Sequence, residues 1–562
     1  MNGVIKVKHL NESFSVISTK PEGIKKEIAK LFKAHPEGYQ FNPKYRMGMW
    51  DGYVNFFKVK DRFLVIPRGL VNYIKEFAEG YYHFEILNEP EKVNPKKDVL
   101  QFIEEMKLPY ELRDYQLKTI LRAIYEKRGV YILATGSGKS LIQAIIAMYL
   151  AKDGKKSAII VPNVSLVHQF YSDMEDYFQN APFKIENKVH KIYAGQPKHF
   201  DYPVTISTWQ SLQKSPELFS DINCLIVDEV QKAKNFETII SDMIIPSTIN
   251  SEYKFGFTGS MPKGRVAELS IVGGLGPVNK IVTAKDLIDM GFGTPMEINL
   301  LYLKYNEFMA REIRKYSYQS EKKLFRLLPE RNRIVVKLAK NLTQKYGNTL
   351  VLFDTIAHGY DLIKQIIDGV FLTKITRKAI KEMIDDLPEK ILVNTYSEKE
   401  KRIVEKLEEE YNVKINIETL EENHIFFIYG DVDSKIREEI RHKVEKLEDA
   451  IIVANYQTFS TGINIKNLHN LIFASSIKSF ETIVQSLGRT IRLKEGKDKV
   501  RIFDFIDECV KGKSKNYGYK HFEERLQIYF DEGHQLKEKR VEMNIAYEKF
   551  KEYEKEFEII KK

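Results

Sequence analysis

Short runs of apolar and β-branched residues alternate with helical patterns along two long stretches of the chain. Four such runs lie between Arg113 and about Thr294, at residues 131–133, 158–161, 204–206 and 224–227. Runs of this length and composition are typical of strands that are buried on both faces, as in a parallel sheet covered by helices. A second series begins near Thr349 and continues to Asp504. The pattern therefore predicts two α/β lobes, each built on a parallel sheet.

Polar segments between these runs divide the chain further. A stretch rich in Pro and Lys, Asn88–Lys97, separates a smaller N-terminal region from the first lobe. We expect three folded parts from the length and pattern of the chain: a small α+β domain at residues 1–95, a first lobe at 96–295 and a second lobe at 296–510, with a Lys- and Glu-rich insertion at 366–422. Residues 511–562 are expected to form a basic loop and a charged helical tail, with the helical pattern running from Gln535 onwards.

Composition narrows the classes of protein. The 562 residues carry 88 Lys and Arg against 78 Asp and Glu, a net charge of +10, which admits nucleic acid as a partner without establishing it. Only two cysteines are present, Cys224 and Cys509, which excludes a disulfide scaffold and a four-cysteine zinc site. No apolar run is long enough for a membrane span or a secretory signal. We therefore expect a cytoplasmic protein with two buried, reduced thiols and no membrane association.

The segment Leu133–Ser140, LATGSGKS, follows a predicted strand and precedes a helical pattern. This is the context of a Walker A loop, in which glycines let backbone N–H groups surround phosphate oxygens at a helix N-terminus. We therefore expect ATP to bind here through Thr135, Gly136, Ser137 and Gly138. Lys139 would reach the β and γ phosphates, and the Ser140 hydroxyl would bind Mg²⁺. Because Leu133 stands where the pattern has its first glycine, an ordinary strand-to-helix turn remains the alternative.

Asp228 and Glu229 follow the apolar run 224–227, where a Walker B pair of acids is expected. Asp228 can hold Mg²⁺, and Glu229 can orient and deprotonate the attacking water. An Asp–Glu pair can also be a solvated helix start. The position at a predicted strand end favours the catalytic interpretation.

Arg489 and Arg492 stand three residues apart in Gln485–Arg492, so they would share one face of a helix. They can pair with surface carboxylates, which is the alternative. Our hypothesis is that they act as arginine fingers, which the second lobe delivers to the γ-phosphate bound on the first. Hydrolysis would then require the lobes to close, and this coupling is what a motor needs.

Together these motifs resemble those of the superfamily 2 helicases, in the same order. The segments that carry the resemblance are Leu112–Gln116, Val161–Gln169, Ser207–Leu212, Thr258–Ser260, Thr458–Asn464 and Gln485–Arg492. The resemblance implies an α/β fold, with two RecA-like lobes behind a small α+β domain, and an ATP- and Mg²⁺-dependent helicase. It implies nucleotide contacts by Arg113, Gln116, Gly462, Asn464 and Gln485. It also implies nucleic-acid backbone contacts by Pro162, Thr208, Gln210 and Thr458. Gln231 stands where many relatives carry His or Asp, so we expect altered coupling between motifs.

Within the superfamily, the chain resembles the UvsW-type recombination helicases of T-even phages. The resemblance is strongest at Gly38–Gly52 and Phe257–Ser260 and appears again at Tyr429–Asp433, Phe459–Ile463 and Lys466–His469. Helicases of that type act on branched DNA: they migrate junctions, reverse stalled forks and unwind R-loops. The resemblance therefore implies a role in DNA recombination and repair, in the host cytoplasm if the chain is phage-encoded. We expect a monomer, with recombination or single-strand-binding proteins as candidate partners.

Basic and aromatic residues interleave between Tyr39 and Arg68, a composition that suits backbone contact and stacking on unpaired bases. We predict DNA contacts by Lys44 and Arg46, while the aromatic residues can equally form the core of a small domain. Lys511 and Lys513 lie in a second basic segment, which is either a DNA-contacting loop or a solvated linker.

Two other functions remain open from the residues alone. An RNA helicase would use the same motor motifs, because these grip the backbone. A DNA clamp that binds ATP without hydrolysis is the other, although Glu229, Arg489 and Arg492 argue against it.

Overall fold

The two predicted series of apolar runs form two sheets, each of seven parallel strands in the part of the chain that the structure describes. The structure is a computed structural model. It describes residues 3–193, 195–212, 215–232, 248–262, 264–368, 424–428, 434–456, 465, 467–476, 498–531 and 534–561. The chain divides into two units, Met1–Thr283 and Ala284–Lys562, and each unit contains one of the parallel sheets. The predicted fold class, two RecA-like lobes and a small α+β domain, is confirmed.

The N-terminal part of the first unit is a mixed five-stranded sheet. Its strands are β1 (Val4–His9), β2 (Phe14–Lys20), β5 (Lys58–Lys60), β6 (Phe63–Pro67) and β7 (His83–Ile86), in the order β5-β6-β2-β1-β7. A short pair, β3 (Lys33–Ala34) and β4 (Val54–Asn55), accompanies it. The helices are α1 (Gly23–Leu31), α2 (Pro43–Arg46) and α3 (Val71–Ala78). Alternate residues of β1 are buried, as expected for a sheet with one face on a core.

The first parallel sheet follows. Its strands are β8 (Arg128–Leu133), β9 (Ser157–Val161), β10 (Val189–Ile192), β11 (Val204–Thr208), β12 (Cys224–Asp228), β13 (Tyr253–Thr258) and β14 (Val278–Val282). The order is β10-β11-β9-β12-β13-β8-β14. The helices around it are α4 (Lys96–Met106), α5 (Asp114–Glu126), α6 (Lys139–Lys152), α7 (Val164–Tyr177), α8 (Trp209–Leu212) and α9 (Arg265–Leu275). β9 and β11 are buried at every position, which explains their lack of alternation.

The N-terminal sheet packs directly on α9. Val266, Leu269 and Val272 of this helix belong to the same apolar core as Ile5, Ile17 and Leu64 of the small sheet. Gly69 lies so close to α9 that a Cβ atom there would overlap the carbonyl oxygen of Val272. The packing therefore requires glycine at this position. The N-terminal sheet and the first parallel sheet consequently form one unit.

The second unit repeats the architecture. Its strands are β15 (Met296–Tyr305), β16 (Thr349–Phe353), β17 (Ile425–Ile428), β18 (Ile451–Asn455), β19 (Asn470–Phe473), β20 (Val500–Glu508) and β21 (Gln535–Met543). They are arranged in the order β17-β18-β16-β19-β20-β15-β21. The helices are α10 (Ala284–Asp289), α11 (Glu307–Ile313), α12 (Tyr318–Leu327), α13 (Pro329–Tyr346), α14 (Ile356–Asp368), α15 (Ser434–Lys446), α16 (Tyr517–Asp531) and α17 (Tyr547–Glu556). From residue 369, the predicted insertion lies outside the described residues.

The C-terminal tail differs from its predicted helical form. Residues 535–543 form β21, which pairs in parallel with β15 over nine residues at the edge of the sheet. Only the last part is helical: α17 buries Phe550 and Tyr553, and Phe557, which follows the helix, is also buried. Lys and Glu favour helices in isolation, but here pairing with β15 determines the structure, and charged residues suit an exposed edge strand.

Cys224 and Cys509 are both buried and unpaired, as predicted. Burial raises the pKa of each thiol, which keeps both protonated and unreactive at neutral pH. Within the described ranges, none of the helices is long and apolar enough to cross a membrane.

Replacing Gly69 with Ala should destabilise the first unit by about 1–3 kcal/mol, because the added methyl group overpacks a backbone contact. Urea unfolding followed by circular dichroism measures this. Gly23→Ala is the matched control, since no atom lies within 4 Å of the position of its Cβ. Equal stability of the two variants would contradict the close packing of the N-terminal sheet on α9.

Candidate nucleotide and nucleic-acid sites

The loop between β8 and α6 has the geometry of a phosphate-binding loop. Gly136 and Gly138 have φ values of +85° and +81°, in the left-handed region that favours glycine. The helix α6 begins at Lys139, so its N-terminal N–H groups lie at the end of the loop. Ser137 has a buried hydroxyl without a hydrogen-bond partner among the described residues. A glycine-containing loop that leads into a helix N-terminus, with an unmatched buried hydroxyl, fits a phosphate chain.

Lys139 points back over this loop. Its ammonium donates to the carbonyl oxygens of Leu133 at 3.1 Å and Ala134 at 3.5 Å. These are contacts to neutral acceptors, and a phosphate oxyanion would be a stronger partner. Ser140 lies next in the helix, where its Oγ is 3.4 Å from the Tyr177 hydroxyl.

The segment Leu112–Gln116, which carries two of the predicted nucleotide contacts, is hydrogen-bonded to the phosphate loop. Gln116 is 4% exposed; its Oε1 accepts from the backbone N–H of Arg113 at 3.0 Å, and its Nε2 donates to the Ser137 carbonyl at 2.8 Å. The Tyr115 hydroxyl donates to the same carbonyl at 2.7 Å and accepts from Arg113 Nη1 at 2.9 Å. The structure thus brings Arg113, Gln116 and the loop together. Tyr115 was not predicted as a site residue, although its position next to Gln116 in the sequence was an indication.

Asp228 ends β12 beside the phosphate loop. Burial and, second, the negative charge of Glu229 raise the pKa of its carboxyl above the ordinary range, while Lys139 opposes this shift. Gln143, one turn beyond Lys139 on α6, donates to Asp228 Oδ1 at 2.8 Å. The sequence analysis missed Gln143, although its i+4 spacing from Lys139 was a signal. Two adjacent carboxylates with insufficient positive charge nearby fit a divalent cation such as Mg²⁺.

Glu229 and Gln231 connect β12 with β13. Glu229 has a φ of +48°, which is strained for a residue with a side chain. Gln231 Nε2 donates to Glu229 Oε2 at 2.5 Å, and Gln231 Oε1 accepts a short hydrogen bond from the Thr258 hydroxyl. Thr258 Oγ1 also accepts from the backbone N–H of Ser260 at 3.1 Å. The glutamine that departs from the family pattern therefore bridges the second acid to the segment Thr258–Ser260.

The residues predicted to contact the nucleic-acid backbone lie at or just after the carboxyl ends of β9 and β11, in the same sheet. Pro162 follows β9, Thr208 ends β11, and Gln210 lies on α8, where it is exposed. Thr208 itself is buried, with its hydroxyl 2.9 Å from Ser211 Oγ. Because β9 and β11 are adjacent, Pro162 and Gln210 lie at neighbouring strand ends. Of the three predicted residues, Thr208 is the least accessible to a strand.

The predicted contacts of the N-terminal domain lie on an exposed segment, which we call the tip (residues 39–50). Lys44 and Arg46 are exposed on α2, and Arg46 lies 5.7 Å from the Phe41 ring centroid. Phe41, Met47 and Met49 are 73%, 65% and 73% exposed. These apolar side chains therefore stand in solvent beside two cations.

Some of the remaining residues of the stretch 39–68 make contacts within the domain, whereas Lys58, Lys60 and Arg62 are exposed outside the tip. His35 stacks on Tyr39 and lies against Tyr53, with ring centroids 4.0 Å and 3.8 Å away. Arg68 is mostly buried and pairs with Glu12 at 2.7 Å. The stretch thus contains the exposed tip, a cluster of rings next to it that is only partly shielded from solvent, and further exposed cations on and after β5.

Lys511 and Lys513 lie in a short exposed turn closed by a bridge between Lys511 and Ser514. The Lys511 ammonium is 3.0 Å from Glu307 Oε1. Six further predicted residues lie outside the described part of the chain, and their roles stay predictions: Thr458, Gly462, Asn464, Gln485, Arg489 and Arg492.

Three family models match the chain. Residues 4–87 match "DNA helicase UvsW, N-terminal", residues 109–263 match "Type III restriction enzyme, res subunit", and residues 376–494 match "Helicase conserved C-terminal domain". The three matches follow the order of the N-terminal domain, the first parallel sheet and part of the second unit.

Individual relatives agree with these matches. The ATP-dependent DNA helicase uvsW of Enterobacteria phage T4 is 30% identical over 90% of this chain and 93% of its own length. The DNA 3'-5' translocase XPB2 of Sulfurisphaera tokodaii is 24% identical over 68% of this chain and 79% of its own. The crystal structure of T4 UvsW covers 96% of this chain and 99% of its own, with 28% identity and a TM-score of 0.45. The first relationship extends over nearly the whole of both chains.

Asp228→Asn should stabilise the fold at pH 8 in the absence of Mg²⁺, by about 1–3 kcal/mol. The raised pKa means that ionising Asp228 is less favourable in the folded protein than in the unfolded chain, where its pKa is about 3.8. The penalty is absent below that value and grows as pH rises through the folded pKa. Urea unfolding at pH 4 and pH 8 measures the difference.

Mg²⁺ should reduce the difference in unfolding free energy between Asp228→Asn and the wild type at pH 8, because it would stabilise only the ionised wild-type site. Asp153→Asn, which removes an exposed carboxylate from the same lobe, is the control and should change neither result. A less stable Asp228→Asn protein at pH 8 without Mg²⁺ would contradict the assigned electrostatics.

Proposed function

Since the chain belongs to the UvsW-type superfamily 2 helicases, which are ATP-hydrolysing enzymes, we propose that it moves along DNA and acts on branched DNA. The substrates would be forks, four-way junctions and R-loops, in recombination and in repair of replication. The observation that carries the branched-DNA part is the tip: exposed Phe41, Met47 and Met49 beside Lys44 and Arg46, within a domain that matches the UvsW N-terminal model. The name of the phage T4 relative supports DNA as the nucleic acid.

The proposed chemistry uses the phosphate loop. Backbone N–H groups of Thr135–Gly138 would bind the phosphates of ATP, and Lys139 would exchange its carbonyl contacts for the β and γ phosphate oxygens. Asp228 and Ser140 would hold Mg²⁺, which supplies charge neutralisation at the phosphates when it is bound. Glu229 would accept a proton from the attacking water. The Gln231 hydrogen bond keeps the Glu229 carboxylate oriented within the strained turn.

Coupling of ATP hydrolysis to movement would involve residues at the strand ends of the first parallel sheet and residues of the second lobe. Arg489 and Arg492 are proposed as arginine fingers, and Gly462, Asn464 and Gln485 as further nucleotide contacts. Pro162, Gln210, Thr208 and Thr458 are proposed contacts to the DNA backbone, and Lys511 and Lys513 to the duplex. Backbone contacts of this kind carry no sequence information, which suits a motor that moves along any sequence.

The tip would then recognise the branch. Lys44 and Arg46 are placed to contact phosphates, and the exposed apolar side chains of the tip are placed to contact bases that are unpaired at a branch point. Unpaired bases offer apolar faces that a continuous duplex does not. The combination therefore favours a branched substrate over plain duplex.

Two substitutions separate binding of ATP from its hydrolysis. Lys139→Ala should abolish turnover and weaken nucleotide binding, since it removes the cation of the phosphate loop. Glu229→Gln should retain nucleotide binding but lower turnover by about 10²–10⁴-fold, the usual contribution of a general base. Steady-state hydrolysis and binding of a fluorescent ATP analogue measure the two effects. Glu217→Gln, at an exposed glutamate of the same lobe, is the control. Near-normal turnover in either site variant would refute the assignment.

Lys44→Ala/Arg46→Ala should impair fork unwinding much more than ATP hydrolysis stimulated by saturating single strands. Loss of two phosphate contacts to duplex arms should lower the slope of log affinity against log salt by about 1.8. Lys26→Ala/Lys30→Ala is the matched control, since it removes two exposed cations from α1 of the same domain. Equal losses of unwinding and hydrolysis in the tip variant, or no loss of either, would exclude the tip as the branch reader.

A further inference from the structure

A surface pocket of the second unit lies at the point where the strand order of its sheet reverses. The chain leaves β16 for β17 and β18 on one side, then returns to β19 on the other side of β16. In open parallel sheets, ligands bind in the crevice at the carboxyl ends of the strands at such a point. Residues 474–476, which follow β19, line this pocket together with side chains of α12, α13 and α16. None of its residues belongs to the predicted nucleotide or nucleic-acid sites.

Two guanidinium groups of the pocket have N–H donors without an acceptor. Arg331 is 1% exposed; its Nε donates to both oxygens of Asp507, at 2.9 and 3.2 Å, and its Nη1 donates to the Ala474 carbonyl at 2.6 Å. Its Nη2, like Nε of Arg326, is buried and has no acceptor within the described ranges. A buried donor without an acceptor destabilises the folded protein. The described residues therefore supply no acceptor atom for these two donors.

Positive charge in the pocket is incompletely balanced. Lys322 and Arg326 both pair with one oxygen of Asp354, so two cations share one carboxylate. Burial and, second, the charge of Arg326 lower the pKa of Lys322. Glu321 also lines the pocket and its oxygens accept from Asn516 and from the backbone N–H groups of residues 517 and 518. Burial raises the pKa of its carboxyl, which favours the uncharged form and weakens its compensation of the two cations. The missing acceptor would therefore be an anionic oxygen.

Aromatic rings stand at the same place. The Tyr318 ring contacts those of Tyr517 and His521 at centroid distances of 5.6 Å and 5.4 Å, and the Lys322 ammonium lies 5.3 Å from the Tyr318 centroid. Tyr318 and His521 both line the pocket. Cations beside aromatic rings are the usual composition of a surface that follows a single strand.

We propose that this pocket binds a backbone phosphate of the DNA strand, with Lys322, Arg326 and Arg331 supplying the positive charge that holds it. The proposal rests on the proposed function, because it assumes that the chain moves along DNA. It adds a strand contact on the second unit outside the predicted motifs. Free phosphate has the same chemistry, so the experiment must separate it from a strand.

The test measures binding of a fluorescent oligothymidylate to the full chain as a function of salt. Lys322→Gln/Arg326→Gln should weaken binding about tenfold near 0.1 M salt and lower the slope of log affinity against log salt by about 0.7, the value for one single-strand phosphate. Lys337→Gln/Lys340→Gln removes two exposed cations of α13 outside the pocket, and this control should leave the slope unchanged. Lys322→Gln alone, with circular dichroism of each variant, guards against loss of folding.

Inorganic phosphate at constant ionic strength should compete with the oligonucleotide for binding to the wild type. It should not compete for binding to the Lys322→Gln/Arg326→Gln variant. Phosphate that binds without displacing the strand would overturn the proposal, since the pocket would then serve free phosphate. Equal strand affinity and slope in the wild type and the pocket variant would overturn only the pocket. A wild type that binds no single strand would overturn the proposed function and, with it, the strand assignment.

Discussion

Parallel pairing of β12 with β13 and of β13 with β8 is the constraint on which the first unit depends. The ladder places Asp228 beside Phe257, and Thr258 beside Ile132. Neighbouring strands lie about 4.8 Å apart, so the phosphate loop, the two acids and Thr258 meet at one edge although they are distant in sequence. The opposite ends of β8 and β13 hold the N-terminal domain, where Arg128 and Lys254 bind Glu12 at 2.7 and 3.0 Å. The same two strands therefore support the candidate nucleotide site and the N-terminal domain.

Gln231 joins the ends of β12 and β13 at the candidate nucleotide site. Its side-chain amide donates to Glu229 and accepts from the Thr258 hydroxyl, so one side chain links the second acid to the end of β13. Glu229 is held at a positive φ, a strain that packed surroundings can maintain at functional sites. Relatives with His or Asp at this position would make a different set of hydrogen bonds. The effect of this difference on the motor remains a prediction.

Local patterns could predict the elements and the phosphate loop, because each is encoded within a few residues. Buried strands such as Ala158–Val161 and the glycines at 136 and 138 need no distant partner to be recognised. What could not be predicted depends on partners far along the chain. Gln143 is a site residue only because Asp228 lies beside it, and Arg68 is structural only because Glu12 pairs with it. Likewise, residues 535–543 become a strand only against β15.

The central claim is that ATP hydrolysis by this chain is coupled to branched DNA. The most direct measurement is the rate of ATP hydrolysis by the wild-type protein with a fork, a four-way junction, an R-loop, plain duplex, single-stranded DNA and single-stranded RNA of matched length. The account predicts the greatest stimulation, at the lowest concentration, by the branched DNA substrates. Stimulation by single-stranded RNA that equals or exceeds that of every branched DNA would contradict it.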